Sequence, residues 1–150
     1  MAIGEICSRE VVFTLRETTV RACARLMREF HVGDLIVVDE VNGTRVPVGI
    51  VTDRDIVVGI VAKGLDADTL TAGEIITQAL ITAPDTAGVS ETIELMRAKG
   101  VRRVPVVNAT GALVGIVTAD DMLDLLAEEM SALAGMVARE QRREAQARKV

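Results

Sequence analysis

Thr52 and Asp55 stand three residues apart where a β-prone run gives way to a helical pattern, and Thr118 and Asp121 repeat the arrangement 66 residues later. A carboxylate accepts two hydrogen bonds at once, which suits the neighbouring hydroxyls of a ribose, and a threonine hydroxyl donates or accepts beside it. A helix start adds unsatisfied N–H groups and the positive end of the helix dipole, which suit an anionic phosphate. The same spacing is also a capping box, in which Thr accepts from the backbone of the acid and the acid reaches back. Alone it reads as a cap that stabilises a helix by about 1 kcal/mol. The two uses are compatible, because one carboxylate oxygen can cap while the other faces a ligand.

The elements that position these residues are duplicated. Gly49-Ile50-Val51-Thr52-Asp53-Arg54-Asp55-Ile56 returns as Gly115-Ile116-Val117-Thr118-Ala119-Asp120-Asp121-Met122. Upstream, a shift of 69 residues aligns positions 3–39 on 72–108 without a gap, and 10 of the 37 pairs are identical. The offset then drops to 66 because Val41-Asn42-Gly43-Thr44, a hairpin signal, makes the first copy longer. Each half predicts a short strand (11–13, then 80–82), an amphipathic helix ending near Gly33 or Gly100, a hairpin (35–38 with 46–51, then 104–107 with 113–117) and a second helix. The fold class is α/β: two β-α-β-β-α repeats packed about a pseudo-twofold axis, with an extended C-terminal helix. Repeat 1 is expected over 1–66, repeat 2 over 67–130 and a helical extension over 131–150. Halves of this size are marginal alone, so one continuous core is expected.

Composition narrows the function. The chain has 150 residues, a net charge of −5, no Trp, no Tyr and two Phe, so base-stacking nucleic-acid modules are disfavoured. No apolar run is long enough to span a membrane and no leader pattern is evident, so a cytoplasmic protein is expected. Cys7 and Cys23 read as buried free thiols, and the single histidine, His31, as a structural residue near a helix end. No catalytic residue, no metal site and no cofactor are expected, and no nucleophile elbow, P-loop or dinucleotide fingerprint occurs.

Gly-Ile-Val-Thr-x-x-Asp at 49–55 and 115–121, preceded by Val32-Gly33-Asp34-Leu35-Ile36-Val37-Val38-Asp39 and by Val101-Arg102-Arg103-Val104-Pro105-Val106-Val107, resembles the cystathionine β-synthase (CBS) domain. In order and twice, these motifs make the chain similar to a free-standing tandem CBS pair, over nearly all of residues 3–127. The resemblance implies a regulatory module that binds adenosine-containing ligands between its repeats and often dimerises. It assigns ribose contacts to Thr52 with Asp55 and Thr118 with Asp121. By position it assigns base contacts to Val12, Phe13 and Thr14 with Asp34 and Leu35, and to Ile81, Thr82 and Ala83 with Arg103 and Val104.

Phosphate needs positive charge, and Arg54, Arg102 and Arg103 are the candidates. Arg102 and Arg103 precede the second strand of half two, so the Thr118/Asp121 site is expected to bind more tightly. The expected ligand is an adenine nucleotide of the AMP, ADP or ATP class, sensed so as to alter a partner protein. The alternatives are a structural or dimerisation adaptor that binds nothing, and a sensor of S-adenosylmethionine or NAD. The last helix continues past its twin with Met122, Leu125, Leu126, Met130, Leu133, Met136 and Val137 at helical spacing. This stripe predicts a homodimer contact, the alternative being that it folds back over its own repeats. The basic tail at 139–150 reads as a solvated helix end.

Overall fold

The computed structural model describes Met1–Lys149. Strand β2 (Asp34–Val41) turns into β3 (Thr44–Thr52) through Asn42 and Gly43, both left-handed with φ of 52° and 77°. Two such residues in succession are the twist-matched hairpin turn, as the Asn-Gly pair predicts. β2 pairs antiparallel with β3 and parallel with β1 (Phe13–Leu15), so it is the centre of a three-stranded sheet. Its Leu35–Val38 run is fully buried. The second sheet has the order β4 (Ala83–Pro84), β5 (Arg103–Val107), β6 (Leu113–Thr118), with β4 parallel to β5.

The first strands begin at Phe13 and Ala83, later than the apolar runs at 11–13 and 80–82 suggest. In half one the Val12 carbonyl still accepts from the Ile36 N–H at 3.1 Å. In half two the residue equivalent to Ile36 is Pro105, which has no N–H to give. The ladder therefore starts further along, and β4 is two residues long.

Helix α2 (Val20–Phe30) is capped by Thr19, which accepts from the Ala22 N–H at 3.2 Å. It ends on His31 in the left-handed region at φ 53°, where α5 (Val89–Lys99) ends on Gly100 at φ 64°. The cap of α2 is thus His31 rather than Gly33, which lies two residues beyond. Cys23 and Met27 on α2 are buried against Leu35, Val37 and Val51. Cys7 and Cys23 are free and buried.

The short helices α1 (Ile3–Ile6) and α4 (Ala72–Ile75) cross between halves, and they do so reciprocally. Gly4 N–H donates to Asp85 O, and Gly73 N–H donates to Arg16 O, both at 2.9 Å. Ile3 N–H meets Ala87 O, and Ala72 N–H meets Thr18 O, both at 2.8 Å. Every partner in one pair lies 69 residues from its counterpart in the other, so the duplication seen in sequence is a duplication of contacts. Ala72, Ile75 and Ile76 pack into the core of half one, and Ile116 packs with Ile36 and Val38.

After α3 (Asp53–Ile56) the backbone continues as a π-helical turn, Val57–Val61, and stops at Gly64 with φ 67°. Met1–Val117 forms one compact unit. From Thr118 a second unit is built on the 30-residue helix α6 (Ala119–Arg148). No helix among the described residues is long and apolar enough to cross a membrane.

Candidate ligand site

Both Thr-x-x-Asp segments form capping boxes. Asp55 N–H donates to Thr52 Oγ1 at 3.1 Å, and Thr52 N–H donates to Asp55 Oδ2 at 2.9 Å. Asp121 N–H donates to Thr118 Oγ1 at 3.1 Å, and Thr118 N–H donates to Asp121 Oδ2 at 3.2 Å. In each box only one carboxylate oxygen is used, and Oδ1 of Asp55 and of Asp121 makes no hydrogen bond among the described residues. Both Asp side chains are exposed.

Thr52 and Asp55 line a cavity of about 340 Å³ within the first unit. Its apolar wall comes from Ile50, Ile75, Ile76, Leu80, Ile81 and Val101. Thr77, Gln78 and Ala79 add an exposed polar rim, and Lys99, Arg102 and Arg103 supply three cations. This volume falls in the roughly 300–1,000 Å³ range of small-molecule sites. An apolar wall, a carboxylate with a spare oxygen and a cationic end are complementary to a base, a diol and an anion in one molecule.

The cavity joins residues from the two halves. The carboxylate side comes from β3 and α3 of half one, and the wall and cations come from half two. Ile81 and Arg103 line it. Val12, Phe13, Thr14, Asp34 and Leu35 do not: Leu35 and Thr14 are buried, and Phe13 packs beneath Arg45, whose guanidinium carbon is 4.1 Å from the ring centroid. Thr82 is half-buried beside the lining residues, whereas Val104 and Ala83 are core residues. Arg54 is exposed on the first turn of α3 and outside the lining. Reading each half as a self-contained site set Arg102 and Arg103 beside Thr118/Asp121. The structure instead sets them in the cavity of Thr52/Asp55, because α4 and the segment after it cross to β3.

Arg103 is held by Asp34, Nε to Oδ1 at 3.0 Å. Burial pushes the Asp34 carboxyl above its ordinary range; the Arg103 charge opposes this, and Asp53 adds to it. The pair ties the start of β2 to the start of β5 and fixes the guanidinium at the cavity edge.

The segment 76–82 was missed by the sequence reading, as were Lys99 and Ile50. Lys99, Arg102 and Arg103 form a cationic cluster in an acidic chain, and that clustering was the available signal. The segment 76–82 carried none, because its twin behaves differently. In half one, Ser8 pairs with Ile116 through two 3.0 Å hydrogen bonds, and Arg9 reaches Val114 O at 3.2 Å. The equivalent residues, Thr77 and Ile50, form no such bridge among the described residues and line the cavity instead.

The comparisons agree with this architecture. The CBS domain pattern matches residues 3–62 and 72–128. An uncharacterized protein from Methanopyrus kandleri is 36% identical over 125 residues, which is 83% of this chain and 62% of that relative's length. A CBS domain protein from Pyrobaculum aerophilum, solved in complex with AMP, is 32% identical with a TM-score of 0.73, over 85% of this chain and 99% of that one. A CBS domain pair solved with 5′-methylthioadenosine and S-adenosyl-L-methionine is 26% identical with a TM-score of 0.70, over 84% and 99%. With two pattern matches covering both repeats, this chain belongs to the CBS domain family, as a tandem pair.

Proposed function

We propose that this protein is a non-catalytic sensor whose cavity at Thr52 and Asp55 binds an adenine nucleotide, AMP being the best fit. The observation that carries this reading is the union, in one cavity, of the Asp55 carboxylate with Lys99, Arg102 and Arg103. The free Oδ1 of Asp55 takes the ribose diol, Thr52 lies beside it, and the cations take the phosphate. The base lies against Ile50, Leu80 and Ile81. Pro105 leaves the Ile81 carbonyl without the partner that Val12 has, so Ile81 offers an acceptor for the 6-amino group of adenine. Thr118 and Asp121, with the same spare oxygen, are proposed as a second ribose clamp.

The solved relative in complex with AMP supports the ligand class. S-adenosylmethionine is the second reading, supported by the other complex. It is favoured less, because three cations suit a phosphate better than a sulfonium. Bound nucleotide would bias the shape or rigidity of a homodimer and so the activity of a partner protein, within the limit set by its differential affinity for the two states.

Thermal unfolding in the presence of AMP, ADP, ATP, S-adenosylmethionine or NAD tests the reading. A ligand at 100 times its dissociation constant stabilises by about 2.7 kcal/mol. AMP is expected to raise the melting temperature most. No shift with any of the five compounds would overturn nucleotide sensing in favour of an adaptor.

A further inference from the structure

Helix α6 presents an apolar seam with nothing on it. Leu123, Leu126, Met130, Leu133 and Val137 are 43–73% exposed. Their spacings are 3, 4, 3 and 4 residues, the alternation that keeps one stripe of a helix facing a partner helix. Ala127 and Ala134 flank the stripe and Gly135 lies on the far side, so a second backbone can approach closely.

Charge on α6 is segregated along its length. Residues 119–133 hold Asp120, Asp121, Asp124, Glu128 and Glu129 and no Lys or Arg. Residues 134–149 hold Arg139, Arg142, Arg143, Arg148 and Lys149 against Glu140 and Glu144. One end is therefore −5 and the other +3 (five cations less two acids). A parallel pair of such helices sets like charge on like. An antiparallel pair sets each acidic end on a basic end, twice.

From the seam and the charge together, we infer that α6 pairs antiparallel with α6 of a second copy of this chain. The register that stacks the seam sets Met130 on the partner's Leu133 and Leu126 on the partner's Val137. In the same register Asp124 lies level with the partner's Arg139, and Asp121 with its Arg142. The inference rests on the homodimer reading above and adds the surface and the orientation.

Sedimentation of the full chain, with Met130→Glu/Leu133→Glu as the comparison, tests the surface. The wild type is expected to be a dimer, and the variant to dissociate at least about tenfold more readily. The substituted side chains are exposed, so circular dichroism should show the variant folded. A monomeric wild type would overturn both the homodimer and the seam. A dimer unmoved by the double substitution would overturn the seam and leave the homodimer. Spin labels on Ala145→Cys test the orientation, the native cysteines being buried. In the antiparallel register residue 145 lies 27 positions from its copy, about 40 Å at 1.5 Å per residue. A distance below about 20 Å would show parallel helices and overturn the orientation.

Discussion

Asp55 serves the fold with one oxygen and is open to a ligand with the other. Its capping bond to Thr52 N–H uses Oδ2 alone. That economy explains why the motif reads as a cap in isolation and acquires a second meaning only from its surroundings. Other carboxylates are committed to the fold outright. Arg16 donates to Asp39 through Nε at 2.7 Å and holds its carboxyl below the ordinary range; Arg21 does the same for Asp68. A carboxyl whose pKa is lowered in the native state stabilises above its unfolded value, and the effect is lost as the pH falls through the native one. Asp39→Asn is therefore expected to melt below the wild type at pH 7, with the gap closing as the pH is taken below about 4. A gap independent of pH would remove the ion pair as its cause. Both partners are well exposed, so the difference should be small.

Strands and helices were largely legible because their signals are local. The Asn-Gly turn, the apolar run of β2 and the two capping boxes form where the residues call for them. The crossing of α1 and α4 was not legible, because it is a tertiary exchange written only in close approaches. A Cβ on Gly115 would lie 2.5 Å from Cys7 Sγ and 2.7 Å from Ser8 O, whereas one on Gly59 would meet nothing within 4 Å. Gly115→Ala should therefore destabilise by about 1–3 kcal/mol through forced displacement of the crossing segment. Gly59→Ala, inside a helical stretch, should stabilise by up to about 1 kcal/mol. Chemical denaturation of the two variants checks this, and equal effects would mean that the crossing segment yields freely. The bridge of Ser8 to Ile116, absent at Thr77 and Ile50, makes the two halves unequal where the repeat pattern makes them look alike.

On the scale of the whole chain, duplication identifies the family, and departures from duplication place the ligand. The clamp residues were legible in sequence. Their completion by Lys99, Arg102 and Arg103 was not, because a strip of half two crosses to half one between the two motifs. The central claim is that the cavity at Thr52 and Asp55 is the principal nucleotide site, with Asp55 holding the ribose. Calorimetric titration of AMP into the wild type, Asp55→Asn and Asp121→Asn tests it most directly. Asn can still accept the capping bond, so both variants should remain folded. Loss of a charge-assisted pair of hydrogen bonds at Asp55 is expected to weaken AMP by at least about tenfold, or roughly 1.4 kcal/mol, with a smaller loss at Asp121. Undiminished AMP affinity in Asp55→Asn would contradict the account.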